Sequence, residues 1–128
     1  LRKVLLDTHA LLWWLGNDAQ LGTQARAIIT DERNEVFVSA ASTWEIAIKT
    51  SLGKLSAPGG LDAIIGEEGF SPLPISLFHG QQAGSLPPLH RDPFDRMLVA
   101  QAQAEGLELM TADADLAGYG VRLVDASI

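Results

Sequence analysis

Four carboxylates stand in four separate segments of this 128-residue chain, each where chain direction usually changes. Asp7 ends the apolar run Val4-Leu5-Leu6. Glu45 stands at the opening of a helix-forming stretch. Asp95 lies inside His90-Arg91-Asp92-Pro93-Phe94-Asp95-Arg96, and Asp113 follows Leu107-Glu108-Leu109-Met110-Thr111. Gathered by a fold, they make a cup that repels itself. Two unit charges ~4 Å apart cost about 4 kcal/mol at an effective dielectric of ~20. Protons or a bound cation must relieve that repulsion, and all-oxygen ligation suits hard Mg²⁺ or Mn²⁺. The chemistry expected of such a cup is metal-dependent hydrolysis of a phosphodiester.

Each acid also has a plain structural role open to it. Asp7 is a natural turn or capping residue, although Thr8 beside it offers the same service and leaves Asp7 free. Ser42-Thr43-Trp44-Glu45 matches a capping box. A helix beginning nearer Ser39 would instead put Glu45 on an apolar stripe with Ala41, Ile48 and Leu52, where a lone carboxylate is costly. Asp92 as N-cap, Pro93 at N1 and Asp95 at N3 make an orderly helix start. Asp113 fits as the cap of a short helix from Ala114 to Leu116, and Asp115 competes with it for any metal role. The case for a site rests on all of them lying at element boundaries.

The elements that must position these residues alternate. Strands are expected at Lys3–Asp7, Glu35–Ser39, Phe70–Ile75, Leu107–Thr111 and Val121–Val124. Pro72 and Pro74 demote the third to a sheet edge. Helices are expected at Thr8–Leu15, Gly22–Glu32, Ala41–Leu52, Leu61–Glu68, Leu77–Leu86 and Pro93–Glu105, the last with Phe94, Met97, Leu98 and Ala102 on one stripe. Alternation of this kind implies an α/β domain with a mainly parallel sheet covered on both faces. Sites in such sheets form at the carboxyl ends of strands, and Asp7 and Asp113 fall just past two of them.

The totals set the outer bounds. The length fits a single domain, residues 1–128, and 47% hydrophobic residues imply a packed core. Without cysteine there is no disulfide, thiolate metal site or cysteine nucleophile, which suits a reducing, cytoplasmic setting. No apolar run is long enough to span a membrane, and Asp7 and His9 interrupt the N-terminal stretch too early for a signal peptide. A net charge of −7 argues against a general nucleic-acid binder. Clustered carboxylates holding a metal soften that objection, and the acidity leaves room for a basic partner. His9, His79 and His90 show no metal-ligand spacing.

Val4-Leu5-Leu6-Asp7-Thr8-His9, Trp44-Glu45-Ile46, Asp92-Pro93-Phe94-Asp95-Arg96 and Thr111-Ala112-Asp113 together resemble the PIN domain of VapC-type toxins, in order and over nearly the whole chain. The resemblance implies a three-layer α/β/α sandwich with a mainly parallel central sheet. It implies a Mg²⁺- or Mn²⁺-dependent endoribonuclease, the toxin of a type II toxin–antitoxin pair. Asp7, Glu45, Asp95 and Asp113 match the family's acidic quartet, with Asp7 and Asp95 the main metal ligands. Thr8 and Thr111 match its neighbouring hydroxyls, and Asp92 a supporting, helix-capping acid. Hydrolysis by water would leave 5′-phosphate ends on the RNA. Arg91 and Arg96 flank the site in sequence; they are candidates for gripping phosphate or exposed helix-start charges.

Ala10-Leu11-Leu12-Trp13-Trp14-Leu15 is apolar all round, where a helix packed on a sheet should show one polar face. It is either a helix buried on several sides or a contact surface for a homodimer or an antitoxin helix; the small size of the domain favours the partner. Two other function classes compete. A phosphoryl-transfer domain, receiver or small phosphatase, also uses an acid after its first strand, but it wants a second acid close by and a late lysine, and no Lys follows Lys54. A non-catalytic RNA-binding module on the same fold has no use for unpaired carboxylates, which weaken RNA binding.

Overall fold

A computed structural model describes residues 1–128. β1 (Lys3–Leu6), β2 (Glu35–Ser39), β3 (Ser71–Leu73), β4 (Glu108–Thr111) and β5 (Leu123–Asp125) form one sheet in the order β3-β2-β1-β4-β5. Every pairing in it is parallel. The helices are α1 (Thr8–Leu15), α2 (Thr23–Thr30), α3 (Ala40–Ser51), α4 (Leu61–Glu67), α5 (Leu77–Ser85) and α6 (Pro93–Glu105), with a 3-10 turn at Ala114–Tyr119.

Parallel strands covered on both faces need apolar side chains pointing both ways. Val4, Leu5 and Leu6 of β1 are fully buried. Val4 and Leu6 join Leu11, Ala25 and Ile29 in a core on one face. Leu5 and Leu109 join Leu98, Val99 and Leu116 in a second core on the other. Two cores separated by one sheet make the three-layer α/β/α sandwich expected from the sequence.

The strands are shorter than their apolar runs suggest. Phe70 packs in the core without joining β3. Pro72 sits opposite Val38 in the outermost strand, where its missing N–H faces no neighbour. β5 begins at Leu123 rather than Val121.

The order of the strands decides where a site can form. The chain builds outward from β1 through β2 to β3, then crosses back through α5 and α6 to lay β4 on the other side of β1. β1 and β4 therefore flank the point where strand order reverses, and a crevice opens there at the carboxyl ends of the strands.

Candidate active site

The register of the central pair sets the first two acids. Leu6 lies opposite Met110, and the Asp7 N–H donates to the Met110 carbonyl at 3.0 Å. Asp7 and the turn after β4, which carries Asp113, thus leave adjacent strands at the same end of the sheet. Asp95 comes from the first turn of α6 and Glu45 from α3. A cleft of about 490 Å³ opens over them, lined by Asp7, His9, Trp13, Gln20, Asp95, Ala112 and Asp113.

Asp7 is buried and caps α1 itself: its Oδ1 accepts the Ala10 N–H at 2.8 Å. This corrects the expectation that Thr8 is the cap. One carboxylate oxygen saturates the helix start, and the Thr8 hydroxyl is turned elsewhere. It donates to Glu45 Oε1 at 2.6 Å. Burial pushes the Asp7 carboxyl above its usual range, partly offset by the Thr111 hydroxyl and the Ala10 N–H.

Glu45 is not part of a capping box. The Ser39 hydroxyl accepts the Ala41 N–H at 3.0 Å and starts α3 three residues before Ser42. That start turns Glu45 inward, where it is 4% exposed. Its Oε2 meets Lys49 Nζ one turn on at 2.6 Å, so the buried charge has both a hydroxyl and an ammonium as partners. The contact with Glu45 holds the Lys49 pKa above its ordinary value, and Asp92 and Asp95 add to the effect.

Asp95 carries the clearest signature of crowding. Desolvation, then the charges of Asp92 and Asp7, raise its pKa from 3.8 to about 7, with His90 opposing and Glu45 reinforcing the shift. Asp92 caps α6, its Oδ1 accepting the N–H groups of Phe94 at 2.8 Å and Asp95 at 3.2 Å. Asp113 divides its oxygens. Oδ1 accepts the Asp115 N–H at 3.0 Å and caps the 3-10 turn, while Oδ2 lies 3.1 Å from His90 Nε2. Thr111 is buried and its hydroxyl accepts the Asp113 N–H at 3.0 Å. Asp115 is exposed and does not line the cleft.

His90 is the residue that the sequence reading missed. Its Nε2 sits 3.1 Å from Asp113 and 3.6 Å from Asp95, and the three residues form a group compact enough to hold a metal ion. The ring's other nitrogen argues for a different role. His90 Nδ1 accepts the Asp92 N–H at 3.1 Å, so in the neutral ring the proton is on Nε2 and points at the carboxylates. His90 is thus a donor to Asp113, leaving oxygen as the donor set for a cation. The only sequence signal was its place two residues before the Asp92 cap.

Arg96 is not available for phosphate. Its guanidinium donates to the carbonyls of Ala83, Leu86 and Pro87 at 2.9, 3.0 and 2.9 Å, with longer contacts to His90 O and Tyr119 Oη. It ties the α5–α6 connection to the helix. Arg91 is exposed next to His90. In the first helix Leu12, Trp13, Trp14 and Leu15 all pack in part on the core and remain partly exposed. Exposed large apolar side chains include Trp44 on α3, Leu52 just after it, and Ile75, Leu77 and Phe78 around the start of α5.

The acids converge on one cleft at the reversal point of a parallel α/β/α domain. The model of the PIN domain matches residues 4–121, and the chain belongs to that family. Ribonuclease VapC16 of Mycobacterium tuberculosis is 42% identical over 60 residues, 44% of this chain and 43% of that protein, so the match spans less than half of the relative's length. The fold is similar to that of DNA-bound VapBC from Salmonella typhimurium, with a TM-score of 0.70, 18% identity and 98% of each chain covered. It is also similar to VapBC2 from Rickettsia felis bound to a promoter DNA fragment, with a TM-score of 0.69, 14% identity and coverage of 95% of this chain and 97% of that one. No helix is long and apolar enough to cross a membrane.

Proposed function

We propose that this chain is a metal-dependent endoribonuclease and the toxin of a toxin–antitoxin pair. The observation that carries the reading is the convergence of Asp7, Asp95 and Asp113 on one cleft, with Glu45 buried behind them and Asp95 raised to about 7 by its neighbours. Self-repelling carboxylates are retained where a cation resolves them. The oxygen donors suit Mg²⁺ or Mn²⁺. Asp7 and Asp95 would hold the ion, with Glu45 and Asp113 in support. When bound, the ion supplies Lewis acidity, acidifying a water and screening the attacked phosphate.

The chain's own residues then divide the work. Thr8 and Lys49 hold Glu45 in place. Thr111 and the His90 Nε2–H hold Asp113. Asp113, the most open of the cleft acids, orients the attacking water or accepts its proton. Asp92 fixes the first turn of α6 and with it Asp95. Arg91, exposed beside His90, is the candidate for gripping a neighbouring phosphate. In-line attack by water leaves a 5′-phosphate and a 3′-hydroxyl.

The partners belong to the same reading. Ribonuclease VapC16 by its name, and VapBC complexes by their composition, support RNA as substrate and an antitoxin as inhibitor. Exposed Trp44, Leu77 and Phe78 favour a second copy of the chain as a further partner. A cytoplasmic setting follows from the RNA substrate.

The test is cleavage of single-stranded RNA by purified protein freed of any partner. Cleavage should require Mg²⁺ or Mn²⁺, stop in EDTA and return with added metal, and Asp7→Asn should remove most of it. Undiminished cleavage in EDTA would sink the metal reading.

A further inference from the structure

The cleft is larger than a cation needs, and the extra space has an unexpected lining. A hydrated octahedral ion fills about 180 Å³, taking six ligands at ~30 Å³ each. That leaves well over half of the about 490 Å³ cleft. The remainder is bounded by His9, Trp13 and Gln20. His9 and Trp13 are one turn apart on α1 and so share a face. Their ring centroids are 6.2 Å apart and their planes are tilted by 46°. The two rings do not stack on each other; each keeps a surface for something else. Trp13 also packs on the core below it, which holds the indole in place. Trp13 lies ~9 Å along the helix axis from the Asp7 cap, within one nucleotide of the cup.

Charge sharpens the question of how a substrate is held. The chain carries −7 overall. Arg96 is committed to backbone carbonyls and Lys49 to Glu45. Few cations are left to grip a polyanion, so binding must draw on contacts that are not ionic. Stacking on an aromatic ring is such a contact and works for any base.

We propose that His9 and Trp13 form a stacking platform for one unpaired nucleobase next to the scissile phosphate. Gln20 stands at its rim. Its carboxamide N–H makes only a long bond to Asp18, 3.3 Å, and its carbonyl is free for the edge of the base. The platform rests on the ribonuclease reading above and deepens it: the substrate is a single-stranded or looped RNA with one nucleotide splayed out.

The test uses an Asp7→Asn background, in which RNA stays intact. Binding of a labelled single-stranded RNA octamer is compared with that of an octamer of abasic ribose-phosphates, in Mg²⁺, by fluorescence anisotropy. The abasic strand should bind about tenfold more weakly. Adding Trp13→Ala should weaken the RNA by about the same factor and leave the abasic strand unchanged, while Trp13→Phe retains most of the affinity. The salt dependence should be shallow. Equal binding of the two strands by the Trp13-intact protein overturns the platform, whether or not Trp13→Ala folds. So does RNA affinity that survives Trp13→Ala while an antitoxin no longer binds, which would assign the ring to the protein partner. Wild-type cleavage of RNA is measured alongside. Cleavage by the wild type together with equal binding of the abasic strand sinks the platform alone. No cleavage under any metal sinks the ribonuclease reading and the platform with it.

Discussion

Neutralising Asp95 should stabilise the metal-free protein at high pH and do nothing at low pH. Its carboxyl titrates at about 7 in the folded chain, against 3.8 for the free side chain. Between those values the folded state binds a proton that the unfolded state has released. Raising the pH therefore favours unfolding. The contribution of Asp95 is full below about pH 4 and is lost as the pH rises through 7. A gap of this size corresponds to about 4 kcal/mol. The Asp95 side chain is 25% exposed, and solvent screening reduces the figure to about 2 kcal/mol. Asp95→Asn keeps the neutral form at every pH. In EDTA at pH 8 the variant should exceed the wild type by ~2 kcal/mol, roughly 6–10 °C in Tm for a domain of this size, and the two should converge below about pH 4. Mg²⁺ at pH 8 should raise the wild-type Tm and leave that of the variant nearly unchanged. A variant less stable than the wild type at pH 8 in EDTA, or a difference that does not vary with pH, would refute the crowding argument.

Two further outcomes follow from the partners of the acids. Lys49→Met removes the ammonium from buried Glu45 and should cost about 1–3 kcal/mol without metal, measured by urea denaturation; Mg²⁺ should recover more stability in the variant than in the wild type. Arg96→Ala removes the clamp on the Ala83, Leu86 and Pro87 carbonyls and should cost ~2 kcal/mol or more, whereas a phosphate-binding arginine would lower RNA affinity with no loss of stability.

The alternation of strands and helices made the fold readable because parallel strands buried on both faces leave continuous apolar runs, as in Val4-Leu5-Leu6. The acids were readable as boundary residues for the same reason: caps and site residues occupy the same turns. Asp7 and Asp113 each close a helix start with one oxygen and still line the cleft, where the second oxygen of Asp113 meets His90. What remained hidden was pairing across distance. Thr8 reaches Glu45, 37 residues away, and His90 reaches Asp113, 23 away; neither spacing has a local signature. Arg96 looked free because backbone carbonyls, its actual partners, leave no mark in a sequence. The apolar face of the first helix has a source within the chain, because a short helix wedged between sheet, α3 and a loop has little need of a polar face, and its tryptophans are mostly covered by the chain itself.

The reversal of strand order at β1 also has a consequence in time. Asp7 leaves the ribosome well ahead of the strand that faces it: β4 ends 104 residues later with Thr111, and Asp113 follows. Until β4 docks against β1 the cleft has only one wall. A chain stopped before that strand lacks Asp113 and one wall of the cleft. The cleft can thus be complete only after the 104 residues from Asp7 to Thr111 have been made, an interval in which a partner already present can meet the unfinished chain.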